Sequence, residues 1–149
     1  MAIMGVATFE RFFRSAAGLD VDKDDLKRYN DFVHHKLYDL LIMGQATARA
    51  NDRGVIMSYD LPVTKGLQES IHRFRKLDEE IELQRILEHL ATLPALDLLV
   101  DDETEARMPE LAGGLSVALA EAFKIIDPKL KNPSSAQWEQ AFHIFDLLL

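Results

Sequence analysis

The stretch from Lys23 to Asn51 constrains this chain more than any other. Leu26, Tyr29, Phe32, Val33, Leu37, Leu40, Leu41, Gly44, Thr47 and Ala48 recur at three- and four-residue spacing, which places them on one helical stripe. Asp22 or Asp24 stands where an N-terminal cap is needed. The pattern predicts a helix of 29 residues, a rod of roughly 43 Å. A rod of that length outruns a small core, so other segments must pack along both of its ends.

The flanks supply them. Phe9, Phe12, Phe13 and Ala16 predict a short helix over Thr8–Ala17, with Gly18 as its stop. Asn51-Asp52-Arg53-Gly54 is turn chemistry, and Val55-Ile56-Met57 is β-prone but too short for a free strand. Ser58 or Asp60 then caps a third helix through Leu67, Ile71, Phe74 and Leu77, with Pro62 in its first turn. The second half repeats this grammar. A helix is expected over Glu80–Thr92, an extended apolar segment over Leu96–Val100, and a long helix from Asp101-Asp102-Glu103 to about Ile126, restarted or bent at Pro109. A last helix, capped by Ser134 or Ser135, carries Trp138, Phe142, Ile144, Phe145 and Leu148. Leu19–Asp25 echoes Leu96–Asp102 at an offset of 77 residues, each at the entry to the long helix of its half.

Composition bounds the chemistry. With 149 residues, the chain holds one compact domain or two small halves sharing a core. No cysteine is present, which removes disulfides, thiolate metal sites and cysteine nucleophiles together. No apolar run reaches the roughly 18–20 residues of a spanning helix, and no basic segment precedes a long apolar one, so a cytoplasmic protein is expected. The net charge of −8 is unevenly placed: residues 1–78 carry 12 Lys/Arg against 11 Asp/Glu, and residues 79–149 carry 5 against 14. A polyanion partner is therefore opposed chiefly by the second half.

Two resemblances follow from these segments. Ala48 to Leu61 resembles the corresponding stretch of archaeal histones without a gap, with Arg53, Ile56 and Asp60 matching the family pattern and Val55 replacing a threonine. That resemblance implies a structural clamp in which Arg53 and Asp60 pin loop to helix. The second-half loop, Asp127 to Ser135, has no such arginine–isoleucine–aspartate set. The whole chain is similar to a small bacterial family of unknown function with two histone folds fused in one polypeptide. Phe9-Glu10-Arg11, Ala17 to Lys23, Lys36 to Leu41, Asp60-Leu61-Pro62, Lys65 to Glu69, Pro109 to Gly113 and Leu130 to Pro133 carry that likeness. It implies an all-α histone fold: two three-helix units, approximately 6–78 and 79–149, paired head-to-tail as a pseudo-dimer within a monomer. Val55-Ile56-Met57 should then lie beside Leu98-Leu99-Val100, and Leu19-Asp20-Val21 beside Lys129-Leu130-Lys131.

Three function classes can be weighed on these residues. Duplex DNA would be met by Arg11, Arg14, Lys23, Lys27, Arg28, Arg49 and Arg53, but Asp20, Asp22, Asp24 and Asp25 crowd the first loop, and Asp97, Asp101, Asp102, Glu103 and Glu105 face the same side in the pairing above. His35 and Asp39, four apart on one helix face, are the weak candidates for a metal, although such pairs are common on surfaces. Phosphate-cradling GxxxxGK[ST] and GxGxxG loops and the GxSxG nucleophile motif are absent. No catalytic residue and no cofactor are assigned. The remaining class is a non-enzymatic association module with an unknown protein partner. The apolar ending Phe145 to Leu149 is expected to dock internally rather than on a partner.

Overall fold

The computed structural model describes residues 5–81 and 95–149. Five helices account for most of them: α1 (Val6–Ala17), α2 (Lys23–Ala50), α3 (Lys65–Ile81), α4 (Asp102–Ile126) and α5 (Ser135–Leu148). Two-residue strands β1 (Val55–Ile56) and β2 (Leu99–Val100) and a one-turn 3₁₀ helix (Ser58–Asp60) complete the described elements. The protein is an all-α fold organised on two long helices.

Local chemistry sets the helix ends. Gly18 closes α1 at φ 62°, a left-handed conformation that glycine adopts without a Cβ clash. Asp22 caps α2 in a reciprocal box with Asp25, satisfying the amides of Asp24 and Asp25. Asp101 caps α4 by accepting from the Thr104 amide at 2.9 Å. These two caps stand two residues further apart than the echo of 77, so the halves correspond by cap position rather than by identical letters. Ser134 and Gln137 form a second capping box at α5.

Several boundaries differ from those the sequence suggests. The third helix starts at Lys65, not at Ser58 or Asp60: Thr64 Oγ1 accepts the Leu67 amide, and Pro62 lies in the extended approach. Leu61 takes ψ 132°, as a residue before proline prefers, and this separates the 3₁₀ turn from the helix. Helix α3 runs through Asp78 to Ile81, so a boundary at 78/79 would cut a continuous helix. Apart from that last turn, the helix expected over Glu80–Thr92 lies outside the described residues. Helix α4 is continuous through the buried Pro109, where the proline removes the hydrogen bond to the Glu105 carbonyl.

Both halves feed one core. Ring contacts join α1 to α2 through Phe9 and Phe13 against Tyr29, and α1 to α5 through Phe13 and Trp138. Phe123 of α4 meets Trp138 edge-on, with ring centres 4.9 Å apart. Tyr29 Oη and Ser116 Oγ, both buried, hydrogen-bond at 2.7 Å between α2 and α4, and the apolar surroundings push the phenol's pKa up. Gly113 and Gly114 let α3 approach α4: a Cβ on Gly113 would lie 2.4 Å from the Phe74 ring, and one on Gly114 2.5 Å from Ile71.

The extended segments meet across the halves. Strands β1 and β2 pair in parallel, Val55 opposite Leu99 and Ile56 opposite Val100, and the Asp101 amide donates to the Ile56 carbonyl at 3.1 Å. At the other end, the Asp20 amide donates to the Lys131 carbonyl at 2.6 Å. The two expected loop juxtapositions are thus both present, one as a short parallel ladder and one as a single backbone bond.

Candidate functional site

Three regions of the surface carry chemistry beyond packing. The first is the loop between α2 and α3. Asp52 turns the chain at φ 56°, a conformation that Asp tolerates better than most residues. Arg53 then reaches Asp60 in a bidentate pair, with both N–H···O contacts at 2.5 Å. Asp60 also accepts the Met57 amide at 2.8 Å, and only 3 % of the residue is exposed. The guanidinium lies over the Tyr59 ring, 5.1 Å from its centre. Hydrogen bonding to Arg53 holds the Asp60 carboxyl below the usual carboxylate range, and the same bond raises the arginine.

The cations considered for DNA are spread over this loop and the N-terminal helices, and acids answer several of them. Arg49 donates to Asp97 of the other half at 2.9 Å. Arg28 lies 3.4 Å from Asp25 and donates to Ser135 at 2.8 Å. Arg14 is 3.7 Å from Asp20. Arg11, Lys23 and Lys27 form no ion pair among the described residues. The seven candidates are therefore not gathered into one free cationic face: Arg14, Arg28 and Arg49 are bound to carboxylates, and Arg53 is committed to a buried one.

The second region is an ion cluster between α2 and α5. His35 Nε2 lies 3.6 Å from Asp39, and Asp146 joins them so that one ligand atom from each lies within 4.8 Å of the others. The sequence pairs His35 with Asp39; the fold brings in Asp146, 107 residues beyond Asp39. It also brings in Lys36. That side chain is buried, contacts Asp146 directly and lies 3.4 Å from Asp39. Its hydrogen bond holds the Asp146 carboxyl below its ordinary value. The Lys36 ammonium already offsets one of the two carboxylate charges, and a divalent cation would compete with it for the same oxygens. A hollow of about 210 Å³ beside it is lined by Asp31, Phe32, His35 and Phe142 among others.

The third region is an apolar groove between the start of α3, the last turns of α4 and the end of α5. Its volume is about 520 Å³. Leu67, Ala122, Ile126, Ile144 and Phe145 line it, with Arg73 and Glu121 paired at 2.8 Å along its wall. Ile125 and Leu148, 81 % and 74 % exposed, also line it, and Leu147, 72 % exposed, stands beside it. This corrects the expectation that the C-terminal leucines dock internally. Phe145 is buried and Leu149 partly so, but Leu147 lies opposite Trp138 on α5, and Leu148, on the Ala141 side, is exposed in the groove.

Sequence reasoning overlooked several polar residues that hold the halves together. Gln45, buried in α2, accepts the amides of Asp97 at 3.0 Å and Leu98 at 3.1 Å and so fixes the approach to β2. Arg107 of α4 donates to Ser58 and Gln68, and Arg75 forms a bidentate pair with Glu110. A signal for Gln45 and Lys36 was present: both fall on the buried stripe of α2, at four-residue spacing from Leu41 and Phe32. Thr47, placed on that stripe, is exposed.

Residues 9–146 match the DUF1931 family, a domain of unknown function. The chain belongs to that family. Two uncharacterised proteins of Aquifex aeolicus strain VF5 are similar to it. One is 25 % identical over 142 residues, covering 95 % of this chain and 82 % of its own length. The other is 29 % identical over 134 residues, covering 83 % and 80 %. Among solved structures, a Thermus thermophilus protein is 52 % identical, with 99 % of each chain covered and a TM-score of 0.86. An Aquifex aeolicus protein at 24 % identity, covering 96 % of this chain and 94 % of its own, has a TM-score of 0.82 and so shares the fold. No described helix of the DUF1931 chain is long and apolar enough to cross a membrane.

Proposed function

We propose that this DUF1931 protein is a non-enzymatic association module built as a single-chain histone-fold pair, with its first unit running from about residue 6 to the end of α3. The short–long–short order of α1, α2 and α3 supports the first unit, and the meeting of β1 with β2 and of Asp20 with Lys131 supports the pairing of two units in one chain. On this reading Arg53 and Asp60 are a structural clamp rather than a binding site, since a guanidinium held by a buried carboxylate is poorly placed to neutralise a phosphate.

The observation that carries association is the groove lined by Ile125 and Leu148, with Leu147 beside it. An open apolar concavity with three exposed aliphatic side chains in and beside it is the anatomy of a protein contact surface. Hydrophobic association at that groove tolerates salt, whereas phosphate binding weakens steeply with it. The test is a pair of titrations. Fluorescence anisotropy with a labelled DNA duplex at low and moderate salt is expected to show no saturable binding. Binding of an environment-sensitive apolar dye is expected, and Leu148→Glu should abolish it. Tight, salt-sensitive duplex binding that falls when Lys23 and Lys27 are neutralised would replace this reading with a DNA-associating one.

A further inference from the structure

We propose that His35, Asp39 and Asp146 hold one Zn²⁺ ion, which ties α2 of the first half to α5 of the second. None of the three lines the apolar groove, so the inference is independent of the association reading. A His/Asp pair four apart on one helix is common on surfaces and says little alone. Here a third ligand arrives from another helix, and the frame that carries it is rigid. Phe32 on α2 stacks on Phe142 of α5 with ring centres 5.2 Å apart, and meets Phe145 edge-on at 5.0 Å. Each ligand stands within about two helical turns of that aromatic contact. The two helices are therefore positioned by apolar packing and not by the ligands, which is the pre-organisation a metal site needs.

The spacing suits a small ion. Two ligands of a tetrahedral Zn²⁺, each bonded at about 2.0–2.2 Å, stand about 3.3–3.6 Å apart. His35 Nε2 and Asp39 Oδ2 are 3.6 Å apart. Asp146 lies within 4.8 Å of both, and its side chain, 54 % exposed, is free to turn its carboxylate by the remaining distance. The hollow of about 210 Å³ that His35 and Asp146 line gives the ion an entry and leaves room for water as its fourth ligand. One imidazole and two carboxylates, with no thiolate anywhere in the chain, suit Zn²⁺ or Co²⁺. Ca²⁺ would require six to eight oxygens, which three side chains do not supply.

Lys36 sets the strength of the site. Its ammonium contacts Oδ1 of Asp146, leaving Oδ2 to the ion, and it shares Asp39 Oδ2 with His35. Two carboxylates against one ammonium leave one negative charge, and Asp31 on the rim of the hollow adds another. A divalent cation is thus attracted, but less strongly than it would be without Lys36. The buried ammonium acts as a brake on affinity, and this separates the proposal from simple charge attraction to an acidic surface.

The test is calorimetric titration of the chelator-treated full chain with zinc chloride. One ion per chain is expected, with a rise in the unfolding midpoint because the ion bridges two helices. His35→Ala and Asp146→Asn should each weaken binding by about tenfold or more and remove that rise. His72→Ala, an exposed histidine on α3, should change neither. Lys36→Met should tighten binding by about fivefold or more. Co²⁺ should give the visible absorption of a four-coordinate ion in the parent and lose it in His35→Ala. His35 and Asp146 have exposed side chains, so those variants should keep the far-ultraviolet spectrum of the parent. No binding at millimolar zinc would overturn the proposal. So would several weak equivalents that His35→Ala leaves untouched, or an affinity that stays level or falls in Lys36→Met.

Discussion

The two loop junctions of this chain solve one problem with different chemistry. At the first, the β1–β2 ladder is backed by side chains on every side: Arg53 to Asp60 within the loop, Gln45 to the amides leading into β2, and Thr104 Oγ1 to the Ile56 carbonyl at 3.4 Å. At the second, the Asp20–Lys131 bond is backed by Lys124, whose Nζ donates to the Leu130 carbonyl at 2.7 Å, and by the Asp127 side chain on the Lys129 amide. A buried bidentate ion pair fixes orientation as well as position. A lone ammonium on a carbonyl fixes position only. The first junction should therefore be the stiffer, and the comparison can be broken at each level of its construction.

The largest effect belongs to the buried aliphatic residue at the centre of each junction. Ile56 is fully buried and Leu130 nearly so. Ile56→Ala is expected to cost about 3–5 kcal/mol, and Leu130→Ala about 2–3 kcal/mol, because the better-packed site relaxes less around the hole. Urea denaturation monitored at Trp138 reads both. Equal losses would mean that the side-chain scaffold of the first junction adds no rigidity.

Next comes the ion pair itself. Asp60→Ala orphans the Met57 amide, a loss of about 1–3 kcal/mol for a buried donor left unsatisfied. Because the folded Asp60 carboxyl titrates below its ordinary value of 3.8, its stabilisation is fully present above that value and is lost as pH falls through the lower, folded one. The stability gap between wild type and Asp60→Asn should be widest at neutral pH and close as pH drops below 3.8. At the second junction the Asp20–Lys131 bond joins two amides and has no proton to gain. Acid should loosen the first junction while sparing that bond, and urea midpoints of both proteins measured from neutral to acid pH would reveal it.

The contrast also explains what could be read from the letters. Apolar periodicity located both long helices, the first helix and the last one, because burial of a stripe is a property of spacing. The caps were legible to within a residue or two, as Asp22 or Asp24, Asp101 to Glu103, and Ser134 or Ser135, because a short polar side chain before an apolar run has few other uses there; Asp22, Asp101 and Ser134 take the role. The start of α3 was misplaced because Asp60 looks like a cap; its side chain is taken by Arg53 and Met57, and Thr64 does the capping. The polar residues of the interior were missed for a different reason. Lys36 and Gln45 occupy stripe positions with the wrong chemistry, and their partners Asp146, Asp97 and Leu98 become neighbours only when the halves fold together. The groove was hidden in the same way, since it is formed by three helices distant in sequence.

The smallest effect is the one that sharpens the comparison most. Lys124 near the end of α4 is the second junction's substitute for a clamp, with its ammonium on the Leu130 carbonyl. Lys124→Met keeps the stem and removes the donor, so only one hydrogen bond is lost, worth about 0.5–1.5 kcal/mol. Thermal unfolding should fall only slightly, but exchange of the Asp20 amide with solvent should quicken more than that of the Asp101 amide across β1–β2. If both amides quicken alike, the two junctions open as one unit and Lys124 acts on global stability. If Asp20 alone responds, the second junction opens independently, and the chain has a stiff end and a loose one set by a single choice between guanidinium and ammonium.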